Sequence, residues 1–90
     1  MAVGMYFTPE GFDPATYDEA ISRLQAAGAG SPPGRTYHAA LVEDGKIRVF
    51  DVWDSMEQFE EFGKTLVPIL GDLGANPGTP MVLPVHNVIT

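Results

Sequence analysis

The sequence contains no cysteine in its 90 residues. This absence excludes disulfide bonds and thiolate ligands for a metal, so packing and hydrogen bonds alone must hold the fold. Apolar runs of the ~20 residues that a membrane-spanning helix needs are also missing. The first residues have neither a basic start nor a long apolar run. We therefore expect no signal peptide, no membrane contact and a cytoplasmic protein.

Basic residues are the second shortage. Five Lys and Arg stand against twelve Asp and Glu, which gives a formal net charge of −7. Such a chain repels phosphate backbones, and no basic cluster offsets the repulsion locally, so we expect no nucleic-acid partner. No glycine-rich segment follows a strand with the spacing of a dinucleotide or phosphate loop. We accordingly expect no cofactor.

Apolar residues are plentiful. They make up 44% of the chain, which favours a packed domain over a disordered segment. Ninety residues predict a single domain over 1–90. A chain of this length buries only a small core, and many such chains enlarge it by pairing with a second copy.

The pattern of apolar residues predicts six elements in the order strand, helix, strand, strand, helix, strand. Asp13 suits the N-cap of the first helix with Pro14 at its first position, and Ser55 with Gln58 forms a capping box for the second. The strands are predicted at Ala2–Thr8, Arg35–Glu43, Lys46–Trp53 and Met81–Ile89. This order predicts an α+β, ferredoxin-like βαββαβ fold, with a four-stranded antiparallel sheet and two helices on one face.

Further details of the elements follow from residue type. An apolar stripe is predicted along the first helix at Tyr17, Ala20, Ile21, Leu24 and Ala27. Pro68 is expected to end or kink the second helix unless a new turn begins there, and Gly71–Pro80 is predicted as a loop. Pro84 lacks an N–H group, which predicts an edge or a bulge for the last strand.

The Asp44–Gly45 pair predicts a two-residue type I′ turn between the second and third strands. In that register His38 faces Asp51 and Thr36 faces Trp53. One face of the hairpin then carries Thr36, His38, Ala40, Val42, Ile47, Val49, Asp51 and Trp53. Because both faces are largely apolar, we expect helices to cover one and a second copy of the chain, in a homodimer, to cover the other.

The same register gathers His38, Asp51 and Trp53 at one end of the hairpin. Directly opposed Cβ atoms lie about 4.5–5.5 Å apart, so Asp51 can hold His38 in one tautomer and prepare it as a general base. Alternatively, the two polar groups only satisfy each other and Trp53 is a core residue. The other histidine, His86, lies on a separate strand, so we expect no iron-type triad and no metal.

The junction between the third strand and the second helix resembles the dimeric α/β barrel superfamily, which includes the antibiotic-biosynthesis-monooxygenase-like proteins. The matching residues are Val49, Asp51, Trp53, Ser55, Glu57, Phe59 and Phe62. The resemblance implies a homodimer with its sheets face to face and a small-molecule pocket between sheet and helices. It also implies, for some relatives, cofactor-free oxygenation of aromatic or polyketide substrates. Other relatives degrade haem, but this chain has no equivalent of their asparagine–tryptophan–histidine set.

Two residues are candidate catalytic groups, His38 and Asp51, and four are candidate ligand-binding residues: Trp53, Tyr6, Phe59 and His86. The first interpretation is a small homodimeric protein of undetermined activity that binds a small hydrophobic or aromatic molecule. One alternative is a cofactor-independent monooxygenase-like enzyme in which Asp51 and His38 act as the base and Trp53 orients the substrate. The other is a structural dimer without a ligand. The sequence leaves open whether the protein is an enzyme.

Overall fold

The computed structural model describes residues 2–89, and these contain the six expected elements in the expected order. The strands are β1 (Val3–Phe7), β2 (Arg35–Glu43), β3 (Lys46–Trp53) and β4 (Met81–Pro84), and the helices are α1 (Pro14–Ala26) and α2 (Met56–Asp72). The strands form one antiparallel sheet in the order β2-β3-β1-β4. The predicted α+β, ferredoxin-like arrangement is confirmed. No helix within residues 2–89 is long and apolar enough to cross a membrane.

Both helices begin at the predicted caps. Asp13 Oδ1 accepts a hydrogen bond from the Thr16 backbone N–H at 2.7 Å, and this bond lowers the pKa of Asp13 by favouring the charged carboxylate. Ser55 Oγ accepts from the Gln58 backbone N–H at 3.3 Å. The same hydroxyl donates to Gln58 Oε1 at 3.0 Å. The capping box therefore closes through the Ser55 hydroxyl.

The ends of both helices differ from the prediction. Helix α2 continues through Pro68 to Asp72, so Gly71 is helical and not part of a loop. Pro68 has no N–H group to donate to the Lys64 carbonyl. Both residues are exposed, so water can donate a hydrogen bond to that carbonyl instead. Ala27 is the exposed C-cap of α1 and lies outside the apolar stripe.

The last strand is shorter than predicted. It ends at Pro84 and not at Ile89, because Pro84 pairs with Val3, the first residue of β1. One further bond, from Val85 N–H to the Ala2 carbonyl at 3.0 Å, closes the ladder. The predicted edge position is confirmed, since β4 pairs only with β1 within the described residues.

The hairpin turn and the central pairing of the hairpin are as predicted. Asp44 and Gly45 have φ angles of 52° and 76°, and a type I′ turn requires positive values at both positions. His38 pairs with Asp51 across the two strands. The turn therefore fixes the register that brings these two residues together.

The start of the hairpin is different, because a bulge interrupts the register between Arg35 and Tyr37. The predicted pairing of Thr36 with Trp53 is wrong, and Arg35 pairs with Trp53 instead. Thr36 is exposed at this point, and its hydroxyl donates a hydrogen bond to the Val52 carbonyl at 3.3 Å. A bulge adds one residue to one strand and redirects the side chains that precede it.

The core lies between the sheet and the helices. Trp53 and Met5 are fully buried at its centre. The Trp53 ring meets Phe59 edge-on at 5.5 Å between centroids and meets Phe62 at 5.4 Å. The other buried members of the core are Phe7, Phe12, Ala20, Leu24, Ile47, Val49, Leu70 and Ala75.

The opposite side of the sheet, here called the outer face, is covered by no helix within residues 2–89 and is largely apolar. Its exposed members are Tyr37 (43%), Leu41 (52%), Phe50 (36%), Met81 (60%) and Leu83 (59%). Residues 85–89 border this face and enclose with it a groove of about 480 Å³. A sheet face of this composition is typical of a surface that a partner covers.

The turn makes a prediction about stability. Gly45→Ala is expected to lower the free energy of unfolding by about 1–2 kcal/mol, because alanine resists positive φ. Gly63→Ala is the matched control: it lies inside α2 with nothing within 4 Å of the added Cβ, and should raise stability by about 0.5–1 kcal/mol. Urea denaturation measures both, and a Gly45→Ala variant that is as stable as the wild-type protein would contradict the turn geometry.

Candidate functional site

Four side chains form a hydrogen-bonded chain on the helix-covered face of the sheet: Tyr17, His38, Asp51 and Trp53. The Tyr17 hydroxyl lies 2.7 Å from His38 Nε2. His38 Nδ1 lies 2.5 Å from Asp51 Oδ1, and Trp53 Nε1 donates to Asp51 Oδ2 at 3.4 Å. Both carboxylate oxygens of Asp51 are therefore engaged.

The chemistry of Asp51 fixes the direction of these hydrogen bonds. Asp51 is only 5% exposed, and a buried carboxylate accepts hydrogen bonds from its neighbours. His38 consequently carries its proton on Nδ1 and presents the lone pair of Nε2 to Tyr17. Burial raises the pKa of Tyr17, while the charge of Arg35 opposes this rise and that of Asp51 adds to it. The Tyr17 hydroxyl thus stays protonated at neutral pH and donates a hydrogen bond to His38 Nε2.

Three elements, β3, β2 and α1, hold these hydrogen-bonded side chains in place. Asp51 and Trp53 are two residues apart on β3, so their side chains lie on the same face. The hairpin register brings His38 opposite Asp51. Tyr17 comes from the beginning of α1 and lies with its ring almost parallel to that of His38, at an angle of 7°. The hydrogen bond between Tyr17 and His38 therefore joins α1 to the sheet.

The hydrogen-bonded side chains border a cavity between the sheet and the two helices. This cavity has a volume of about 70 Å³. This volume is about half of the ~150 Å³ of an apolar cavity that binds benzene. The polar residues at the wall are Tyr17, Arg35, His38 and Asp51, and most of the remaining wall consists of apolar side chains such as Phe7, Phe12, Leu24, Val49, Leu66 and Leu70. An aromatic ligand is larger than this space and fits only if the helices move away from the sheet.

Sequence reasoning missed two residues of this cavity, Tyr17 and Arg35. Tyr17 was predicted only as part of an apolar stripe, although a buried tyrosine needs a partner for its hydroxyl and His38 was available on the facing strand. Arg35 had no such signal, because only the bulge at Thr36 places it opposite Trp53. A search for a hydrogen-bond partner of the Tyr17 hydroxyl could have identified this residue, whereas no residue pattern in this sequence predicts the bulge.

The predicted ligand-binding residues do not share one site. Trp53 contacts Asp51 but is fully buried, and it is not among the residues that line the cavity. Phe59 packs against Trp53 in the core. Tyr6 and His86 border the outer-face groove, on the other side of the sheet.

The two histidines are thus separated by the sheet. Within residues 2–89, no group of three or more His, Asp or Glu side chains is placed to hold a metal ion. The arrangement of His38 instead suits proton transfer, because one ring nitrogen is fixed by a carboxylate and the other faces the cavity wall.

No family model matches the sequence, and no curated protein sequence matches it. A candidate antibiotic biosynthesis monooxygenase from Chloroflexus aurantiacus has a similar structure, with a TM-score of 0.65 and 18% identity over 98% of this chain and 97% of that one.

Two further solved structures extend this likeness. SnoaB, a cofactor-independent oxygenase from Streptomyces nogalater, aligns with a TM-score of 0.62 and 20% identity over 98% of this chain and 94% of its own. The NE2512 protein of unknown function from Nitrosomonas europaea aligns with a TM-score of 0.57 and 17% identity over 99% and 93%. The fold is therefore that of the antibiotic-biosynthesis-monooxygenase-like proteins, as the strand-to-helix junction predicts. A fold shared at such identities does not carry an activity with it.

Proposed function

We propose that this protein is a cofactor-independent enzyme that removes a proton from a small aromatic carbon acid or phenol, so that the resulting anion reacts with dioxygen. The observation that carries the proposal is the Asp51–His38–Tyr17 hydrogen-bonded chain at the wall of a cavity whose other lining side chains, apart from Arg35, are apolar. SnoaB, which has a similar fold, is a cofactor-independent oxygenase, and this supports the choice of reaction. The fully buried Trp53 supports Asp51 and does not contact the substrate.

His38 is the general base in this proposal. Its Nε2 lone pair accepts the substrate proton, and Asp51 stabilises the positive charge that then develops on the ring. Tyr17 donates to the same nitrogen in the absence of substrate. The acidic C–H or O–H group of an entering substrate therefore either replaces the Tyr17 hydroxyl at Nε2 or passes its proton through that hydroxyl.

The oxidation step uses electrons from the substrate. The anion forms a carbon–oxygen bond with dioxygen, the oxygen–oxygen bond breaks, and the second oxygen atom leaves as water. With a carbon acid, both hydrogens of the reacting methylene carbon end in that water, so one methylene group and one dioxygen molecule give one ketone and one water molecule. With a phenol, the hydroxyl hydrogen and the hydrogen of the reacting ring carbon end in the water, and the product is a quinone. In both cases the substrate is oxidised by four electrons and dioxygen is reduced by the same four, so no further reductant is needed. The apolar walls of the cavity keep bulk water away from the anion while it reacts.

Substrate entry requires the cavity to widen, since its volume is about 70 Å³. The hydrogen bond that the substrate displaces, between Tyr17 and His38, is also one that joins α1 to the sheet. Losing this bond frees α1 to move at the moment when the ligand needs room. The same residues therefore couple binding to the exposure of the base.

His38→Asn tests the proposed base. Asparagine keeps a donor near the position of Nδ1 for Asp51 but cannot accept the substrate proton, so turnover should fall by about 10²–10⁴-fold. The melting temperature should fall by about 4–8 °C, because the variant also loses the Tyr17–His38 hydrogen bond, which contributes about 1 kcal/mol. Oxygen uptake with anthrone and a panel of dihydroxynaphthalenes, tested with and without a carboxylate substituent, measures the rate, and thermal unfolding measures stability.

His86→Ala is the matched control, because the other histidine lies on the opposite side of the sheet. This variant should keep the wild-type rate. If His38→Asn retains full turnover and loses stability instead, the His38–Asp51 pair is structural. Wild-type protein that consumes no oxygen with any of these compounds would favour the same conclusion.

The apolar outer face supports a second proposal, that two copies of the chain pair through it. Tyr37 and Phe50 contact each other there with ring centroids 6.2 Å apart, and Leu41, Met81 and Leu83 are each more than half exposed. A chain of 90 residues gains a larger core by covering such a face with a copy of itself. In the homodimer that the resemblance implies, the two sheets also lie face to face.

Leu83→Lys tests the pairing, since it places a charge on the outer face at a residue that is 59% exposed. The variant should be monomeric, whereas the wild-type protein should sediment as a dimer at micromolar concentration. Val67→Lys makes the same change at a residue of α2 that is 56% exposed, and it should remain dimeric. A monomeric wild-type mass in analytical ultracentrifugation would overturn this proposal.

A further inference from the structure

We infer that the substrate carries a carboxylate, or an equally planar oxyanion, that binds the guanidinium group of Arg35 in the cavity. The inference rests on the proposed function, whose substrate class it narrows to small aromatic acids. It is carried by the placement and the pairing of Arg35 and not by the fold.

The placement of Arg35 follows from the bulge at Thr36. In an uninterrupted register Arg35 would lie on the same face as Tyr37, which belongs to the outer face. The shift between these two residues pairs Arg35 with Trp53, and its side chain lines the cavity with His38 and Tyr17. The positive charge therefore lies in the compartment that contains the proposed base, and it acts on Tyr17 by opposing the rise in the pKa of that residue.

The pairing of Arg35 is unlike that of the other two arginines. Arg23 forms an ion pair with Glu19 at 3.3 Å, and Arg48 forms one with Glu43 at 3.2 Å. Within residues 2–89, no carboxylate lies within 4.0 Å of the Arg35 guanidinium. This is notable in a chain with twelve Asp and Glu residues and only five basic ones.

The Arg35 side chain is nevertheless held in a defined orientation. Its Nη2 donates to the Gly30 carbonyl at 3.2 Å, and the guanidinium carbon lies 5.7 Å from the centroid of the Phe62 ring. This bond is the one side-chain hydrogen bond that Arg35 makes within the described residues, although the group has five N–H donors in a fixed plane. A planar group that is fixed by one hydrogen bond and lies over an aromatic ring is suited to a bidentate contact with a carboxylate.

The rest of the cavity determines the remainder of the ligand. Its walls are mainly aromatic and aliphatic, including Phe12, Leu24 and Leu66, so they favour an apolar ring over a sugar or a peptide. An acid bound to Arg35 would lie in the same compartment as His38, which accepts the proton in the proposed reaction. The recognised molecule is therefore an aromatic ring with one anionic group.

Binding of benzoate and of benzamide, its neutral counterpart of similar shape, tests the inference without requiring turnover. Both can be titrated into ¹⁵N-labelled protein and followed by chemical-shift changes. Benzoate should bind about tenfold more tightly or better, the lower end of what hydrogen bonds to a charged group contribute. Arg35→Gln should abolish this preference and Arg35→Lys should keep part of it. Arg23→Gln, which removes the same charge from an exposed helix position, should leave the preference intact.

Equal affinities for benzoate and benzamide, no benzoate binding at all, or a preference that survives in folded Arg35→Gln would each overturn the inference. His38→Asn separates it from the proposed function, because this variant should lose turnover but keep the preference for benzoate. Turnover of neutral aromatics that depends on His38, without any preference for the acid, would reject the role of Arg35 alone. A preference that depends on Arg35, in a protein that consumes no oxygen, would reject the proposed reaction alone.

Discussion

The buried carboxylate of Asp51 is the constraint on which the rest of the site depends. A charge that is only 5% exposed is tolerated inside a protein only when hydrogen bonds replace its water. Here one oxygen accepts from the Trp53 indole and the other from the His38 ring. Asp51 thereby connects the deepest residue of the core to the most reactive group of the cavity.

The effect of Asp51 extends beyond its direct contacts. Because it fixes the proton of His38 on Nδ1, it leaves Nε2 available to Tyr17, and Tyr17 joins helix α1 to the sheet. One carboxylate thus stabilises the packing of a helix and prepares a base. Because Asp51 has both roles, a fold with few polar residues in its interior can still present one side chain suited to proton transfer.

Much of the architecture could be predicted from local signals. The caps at Asp13 and Ser55 and the turn at Asp44–Gly45 are determined by neighbouring residues, and the structure agrees with all three. The pairing of His38 with Asp51 followed from the turn. The end of β4 did not, since its length depends on where β1 begins, which is a property of another segment of the chain.

The parts of the site that escaped prediction depend on tertiary structure. The bulge at Thr36 places Arg35 at the cavity, where strict alternation would put it on the side of Tyr37, and the packing of α1 brings the Tyr17 hydroxyl to His38. Trp53, expected either in the core or beside a ligand, is in the core because Phe59 and Phe62 enclose it. Alternation along a strand assigns faces correctly only as far as the nearest irregularity.

The protonation of the His38 ring is the most direct test of the whole account, and ¹⁵N NMR of histidine-labelled protein measures it. At neutral pH the neutral ring should show Nδ1 protonated and Nε2 unprotonated, as the bonds to Asp51 and Tyr17 require. The exposed His86 should instead show the averaged tautomers of a solvated ring. A His38 ring that carries its proton on Nε2, or that averages like His86, would contradict the account.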